Sequence, residues 1–387
     1  LFIEKAQELA PEHTARYLKE DFSVSFESGG FSFLHNAYKD YTAAKKRDRA
    51  AVLKTYDKLA GHAPSADADF AQISDTLLPV LRPRFTMDIA ALTLQAQNPE
   101  EDFAAIGKRN TLAKHLSLSL AIDSEDSIQQ LSNEACDDWG VSVESALEIA
   151  KGNLRERTSG DWQQIMPGLF SSMWNDCYDA SRLLVPDLIT PLPVAGDVVA
   201  ICATRSNLLI SGSENEEALY LALELAKDMQ EHDRAISLIP LILSDEGWQE
   251  FHPEEHFQSL QVYRTARVME RGREYAEQKE LLERVLEARG IDRFVASLSI
   301  YADESDNISI VTPTWSRDVE TYLPQCETLS LFDADTEQVC MVPFSAVLEH
   351  VPHRLNKLDY FPPRYETIGF PTIEEVAAMG GSYESVE

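Results

Sequence analysis

Two apolar runs, GDVVAICA and NLLISG, stand on either side of Arg205, Ser206 and Asn207, and this spacing constrains the fold more than any other feature of the chain. Runs of strand length separated by so few residues predict adjacent strands joined by a short turn. Ser213 and Glu216 then match an S-x-x-E capping box before EEALYLALELAKDMQEH. Ala218, Leu221, Leu225 and Met229 recur at helical spacing there, so the helix is predicted to bury that face. AISLIPLILS follows as a continuous apolar run flanked by charges, and reads as a central strand. Strands alternating with helices predict an α/β class with α+β character, in which mixed sheets are flanked by helices.

The remaining pattern predicts two domains. FSVSFES and FSFLH alternate around Gly29 and Gly30 as a hairpin, and LSLSLAID reads as a strand. SIQQLSNEACDDWG is read as a helix closed by Gly140. Ser142 is placed to cap VESALEIAKGNLRER, whose buried face is predicted as Ala146, Leu147, Ala150 and Leu154. TSGDWQQIMPG, residues 158 to 168, is taken as a linker, giving an N-terminal α+β domain over 1–158 and a C-terminal α/β domain over 159–387. Pro253 suits a helix start, and the periodic pattern to Gly290 predicts one long charged helix around 253–289, roughly 55 Å if unbroken. The C-terminal part is β-rich through RFVASLSIYA, NISIVTPTW, ETLSLFD and QVCMVPFSAV, with FPPRY and FPT in a wrapping tail before a disordered acidic terminus.

Charge narrows the partners. Over 387 residues, 65 acidic side chains against 34 basic ones leave a net charge of −31. Phosphate backbones and anionic membranes are poor partners for such a surface, so neither nucleic acid nor membrane binding is expected. The excess is −11 before residue 201 and −20 after it, and residues 301 to 350 hold ten acidic residues against the single basic Arg317. The basic cluster Lys45, Lys46, Arg47 and Arg49 is too small for a nucleic-acid footprint.

Five cysteines with no CxxC pair, Cys136, Cys177, Cys202, Cys326 and Cys340, fit a reduced cytoplasmic setting better than a disulfide framework. LFIEKAQEL reads as an amphipathic helix and lacks the pattern of a signal peptide. Because the chain opens on Leu1, its native start is expected upstream.

Several short segments carry a family resemblance. Leu34, Asn36, Tyr38 and Tyr41 match an L-x-N-x-Y-x-x-Y pattern. Further on come LSLSLAIDSEDSIQQL, DDWGVS, and Ala150, Asn153 and Leu154 of an A-x-x-N-L helix, then DASRLL followed by VVAICATRSNLLISG. Through these pieces the chain resembles the bacterial family known as domain of unknown function 1444, the YtpQ-like proteins. Ala37 departs from the family's Leu, and the region after residue 255 aligns loosely. The resemblance implies a fold and a cellular context and brings no activity with it.

Motif chemistry is sparse. G-x-G-x-x-G, G-x-x-x-x-G-K-[ST] and G-x-S-x-G are all missing. His252-Pro253-Glu254-Glu255-His256 matches H-x-x-E-H, yet Pro253 favours a helix start and so keeps the two histidines off one helical face. Neither metal nor cofactor is therefore assigned, and no catalytic residue. His350 and His353 flank Pro352 and carry no stronger case.

Two carboxylate groups remain. Asp176 and Asp179 with Arg182 surround a predicted strand start, and Asp123, Glu125 and Asp126 follow LSLSLAI. Carboxylates at the ends of strands hold magnesium in many α/β enzymes, which makes a metal-assisted hydrolase the alternative reading. A structural ion pair with Arg182 and ordinary helix capping are the simpler ones. The favoured expectation is a non-catalytic protein that binds a basic protein partner or a small ligand. Asp303, Glu304, Asp306, Asp333 and Asp335 would form its acidic docking surface. The sequence assigns no oligomeric state.

Overall fold

The computed structural model describes residues 15–18, 23–26, 31–33, 38, 41–42, 44–52, 70–99, 110–123, 128–131, 133–159, 162–302 and 308–385. They adopt an α/β architecture of mixed and antiparallel sheets with helices. The chain divides into two compact units: Leu1–Pro79 with Ser119–Arg157, and Val80–Leu118 with Thr158–Glu387. Residues 80–118 therefore group with the C-terminal unit, which a single boundary at 158 does not give.

In the first unit, Ala15–Leu18, Ser23–Phe26 and Phe31–Phe33 form a three-stranded antiparallel sheet. The helix Val143–Arg157 buries Ala146, Leu147, Ala150 and Leu154, the face its periodicity gives. Ser142 caps it, its Oγ accepting from the Ser145 N–H at 3.2 Å. The stretch before it is helical only over Asn133–Asp138, because Ile128–Gln130 pairs with Ala121–Asp123 as a strand. LFIEKAQEL and the Gly29-Gly30 turn lie outside the described residues.

The second unit is built on a six-stranded antiparallel sheet. Its members are β1 (Trp162–Met166), β2 (Leu169–Ser172), β3 (Val198–Thr204), β4 (Asn207–Gly212), β5 (Leu241–Ser244) and β6 (Gly247–Glu250), in the order β6-β5-β3-β4-β2-β1. The expected linker is thus an edge hairpin, with Pro167 and Gly168 (φ 80°) making its turn. β3 and β4 pair from Val198↔Gly212 to Thr204↔Asn207, as the two apolar runs predict, with a bulge after Ile201. Gly212 has no substitute, since a Cβ there would lie 2.1 Å from the Ala195 carbonyl oxygen.

Both faces of β3 and β4 are buried, which explains why their sequences are apolar at consecutive positions. Ala200, Cys202, Leu208 and Ile210 meet Leu183, Ile189, Leu241 and Trp248 on one side. Val199, Ile201, Ala203 and Leu209 meet α1 (Glu216–His232) on the other. Each large side chain so buried contributes about 1.5–3 kcal/mol. The deepest face of α1 is Ala218, Leu219, Ala222, Leu223 and Ala226, while Leu221, Leu225 and Met229 pack at its margin. Its N-cap is Asn215 and not Ser213: Asn215 Oδ1 accepts from the Ala218 N–H at 3.1 Å, and Ser213 Oγ instead accepts from the Asp197 N–H. AISLIPLILS yields only the four-residue β5, second from the edge, because Pro240 cannot donate to a ladder.

The predicted long helix begins later than expected. Two 3₁₀ turns, Pro253–Glu255 and Gln258–Leu260, precede α2 (Gln261–Ala288). Its C-terminal half packs Leu281, Leu282, Val285 and Leu286 with Leu92 and Val295. Beyond it lie two four-stranded sheets, ordered Phe294–Val295, Thr321–Pro324, Arg364–Thr367, Leu355–Leu358 and Thr314–Ser316, Thr328–Asp333, Gln338–Pro343, Glu384–Ser385. The expected wrapping tail is in fact core: Tyr365, Val376 and Met379 share a cluster with the fully buried Trp315. Among the described residues, no helix is long and apolar enough to cross a membrane.

Candidate functional site

Asp176, Asp179 and Arg182 do come together, on a 3₁₀ turn over Ala180–Leu184 and the loop before it, where the sequence pointed to a strand start. Arg182 is fully buried. Its Nη1 and Nη2 donate to the two Asp176 oxygens at 2.9 and 2.7 Å, and its Nε donates to Thr158 Oγ1 at 2.9 Å. The Trp174 ring lies over the guanidinium, 4.2 Å from its carbon, and meets Trp162 edge-on at 5.3 Å. A fork-shaped cation satisfied by both oxygens of one carboxylate is a strong form of ion pair, here with Arg182 buried and Asp176 at the surface. Removing Asp176 would cost about 3–5 kcal/mol, because the Arg182 charge would be left buried without its partner.

Asp179 is also fully buried and has a different task. Its two oxygens accept from the N–H groups of Asn175 and Asp176, at 3.3 Å each, and so hold the loop in which Asn175 and Cys177 take positive φ. Burial raises its pKa, opposed by a Ser172 hydrogen bond and aided by the neighbouring Asp176 charge. For Asp176, burial is outweighed by the Arg182 hydrogen bonds and charge, and its carboxyl falls below the usual range. Each carboxylate is thus engaged by protein donors, the arrangement of a structural knot. Thr158 and Trp174 complete it, and no sequence signal marks them as Arg182 partners.

The second carboxylate group is likewise engaged where it is described. Asp123 pairs with Arg157, while Glu125 and Asp126 lie outside the described residues. In the proposed acidic surface, Asp303, Glu304 and Asp306 also lie outside them. Asp333 is buried and takes Arg317 Nε and Nη2 on its two oxygens at 2.9 and 2.8 Å. That pairing, aided by backbone donors, lowers its pKa and removes Asp333 from the outward-facing set. Asp335 is exposed, 3.7 Å from Arg317. Asp318 and Glu337 are exposed at the same end of the sheet, since Ser316 pairs with Phe332 and Asp333 with Gln338.

The H-x-x-E-H segment makes no metal site. His256 stacks on Phe251 at 5.6 Å, while His252 and the buried Glu254 both engage Arg267. His353 Nε2 donates to the Glu375 carboxylate at 2.9 Å. Among the described residues, Asp228, Glu231 and His232 bring ligand atoms within 4.8 Å of one another, all exposed on the outer face of α1. The cysteines form no disulfide, Cys136, Cys202 and Cys340 being buried, and burial pushes the Cys202 thiol up to about 12.

Comparison with protein-family models, with curated proteins and with solved structures gave no match to this chain.

Proposed function

We propose that the chain is a non-catalytic binding protein of the cytoplasm, related to the YtpQ-like family, that takes a basic protein partner on an acidic surface. The observation that carries this reading is the end of the sheet around Arg317. Asp318, Asp335 and Glu337 face solvent there, and Arg317 is committed to the buried Asp333. In a chain of charge −31 such a patch steers cationic partners, with an association rate that falls steeply as salt rises. The bidentate Asp176–Arg182 pair and the Asp123–Arg157 pair weigh against the alternative of a metal-assisted hydrolase, because Asp176 and Asp123 already hold cations and Asp179 accepts from backbone N–H groups.

The test is affinity purification of tagged wild type and of an Asp318→Lys, Asp335→Lys, Glu337→Lys variant, at 50 mM and 300 mM salt. A basic protein recovered by wild type at low salt, and lost with the variant and at high salt, supports the proposal. Equal recovery under all four conditions sinks it. Calorimetric binding of Mg2+, Mn2+ or Zn2+ with a matching rise in melting temperature would restore the hydrolase reading.

A further inference from the structure

Three arginines converge on the second unit with too little negative charge to account for them. Arg205 sits in the β3–β4 turn, and its N–H donates to the Arg234 carbonyl at 3.3 Å, beside the Thr204↔Ala235 bridge, which sets the two residues side by side. The Arg205 carbonyl accepts from the Ala180 N–H at 3.4 Å, and the next hydroxyl along, Ser181 Oγ, accepts from the Leu81 N–H at 3.4 Å. Those bonds draw in Arg82 from one side and the Cys177–Tyr178 loop from the other. Four segments that are distant in sequence therefore meet at one place.

The charges there are incompletely matched. Arg82 Nη1 donates only to the carbonyl of its own neighbour, Leu81, at 2.9 Å. Burial, reinforced by the Arg205 and Arg234 charges, depresses the Arg82 guanidinium to about 10. The carboxylate at hand is Asp233, 3.6 Å from Arg205 Nε, which is too long for a hydrogen bond; that Nε is buried without one. Asp233 Oδ1 accepts from the Arg234 N–H at 2.7 Å, and its Oδ2 is buried without a hydrogen bond, so this one carboxylate is shared between Arg205 and Arg234. Among the described residues, three guanidiniums and one carboxylate leave two positive charges. Holding like charges together costs stability, and an acidic chain has no shortage of carboxylates that could have neutralised them. Arg234 is exposed, and Arg205 and Arg82 are partly so, which leaves the cluster open to solvent and to a solute.

We propose that Arg82, Arg205 and Arg234 form a binding site for the phosphate group of a small molecule. A phosphate dianion matches the two uncompensated charges, and planar guanidinium forks suit its oxygens. The half-buried Cys177 and the buried Tyr178 flank Arg82 and would form the inner wall against the rest of the ligand. This site stands apart from the acidic sheet end, so either proposal survives failure of the other.

The experiment is calorimetric titration of the full chain with inorganic phosphate and with pyrophosphate at low ionic strength. Sodium chloride at matched ionic strength is the control, because a chain this acidic responds to screening alone. Saturable binding is expected, weakened about tenfold or more by Arg205→Gln and by Arg234→Gln, each of which removes a charged donor. Arg273→Gln, on the exposed face of α2, should leave the affinity unchanged. Arg205 and Arg234 lie toward solvent, so their variants keep the test open even if Arg82→Gln fails to fold. Heats no greater than those of chloride, or an affinity unaltered in both the Arg205 and Arg234 variants, would overturn the assignment.

Discussion

Glu274 is a carboxylate on the wrong side of its own titration. It lies on α2 with its side chain 16% exposed, 3.1 Å from Arg271, and one helical turn from Glu270 and Glu277. Burial pushes it up to about 7, with Arg271 opposing and the two flanking glutamates reinforcing. In the unfolded chain the same group titrates near 4.5. A folded pKa above the unfolded one means that the native state keeps a proton the unfolded state has released. The stability associated with that proton is fully present below pH 4.5 and is lost as pH rises toward 7. At about 1.4 kcal/mol per pH unit, the gap corresponds to roughly 3 kcal/mol, or about 2 after allowing for relaxation around a partly hydrated helix. Glu274→Gln mimics the protonated acid at every pH. Urea unfolding should therefore show the variant equal to wild type at pH 4.5 and more stable by about 2 kcal/mol at pH 8, with an unchanged m-value. Glu287→Gln, exposed on the same helix, should give no such divergence. If the two stability profiles run parallel from pH 4.5 to 8, burial does not govern Glu274. If Glu274→Gln is the less stable protein at pH 8, the Arg271 pair outweighs burial and the reasoning fails.

Two further expectations concern buried hydrogen bonding. Arg364 is fully buried and donates to Gln278 Oε1 at 2.5 Å and to the carbonyls of Ala296, Tyr322 and Tyr275 at 2.8, 3.2 and 3.1 Å. A lysine keeps the charge but cannot reach this fan of acceptors, so Arg364→Lys should cost about 3 kcal/mol or more, and thermal unfolding matching wild type would refute it. Asn215→Ala removes the α1 cap and the Nδ2 bond to the Pro167 carbonyl at 3.3 Å, and a loss of about 1 kcal/mol in urea unfolding is expected.

Where local rules act alone, the chain was readable. The β3–β4 pair, the helix Val143–Arg157 with its buried face and the Ser142 cap all follow from periodicity and capping. Failures begin where tertiary partners decide. TSGDWQQIMPG has turn-rich composition, yet Trp162–Met166 pairs with Leu169–Ser172, because an edge strand needs only one side satisfied. FPPRY looks like a tail, yet Arg364 and Tyr365 are drawn into the core by acceptors and rings far along the chain. The site shows the same division. The Asp176–Arg182 pair is close in sequence and was foreseen, whereas Arg82, Arg205 and Arg234 are spread over more than 150 positions and leave no pattern to find.

The net charge of −31 understates how acidic the outside is, because the fold takes its arginines inward. Arg182 and Arg364 are fully buried, Arg293 lies against Glu320 and Glu366, and Arg317 is turned onto Asp333. Arg182 and Arg364 are held by acceptor sets that could not release them to a solute without leaving buried groups unpaired. The Arg82, Arg205 and Arg234 cluster differs from those two in gathering three cations around one carboxylate. It keeps guanidiniums partly open to solvent and short of acceptors: Arg205 Nε is buried without a hydrogen bond and Arg82 Nη1 has the Leu81 carbonyl. Long-range repulsion from the surrounding acidity lowers the local concentration of any anion at low salt, so only a ligand held by short-range forks can occupy it. Selectivity for a compact dianion over diffuse polyanions follows from that combination: a nucleic-acid strand brings many charges into the repulsive field, whereas a single phosphate brings only the two that the cluster can neutralise.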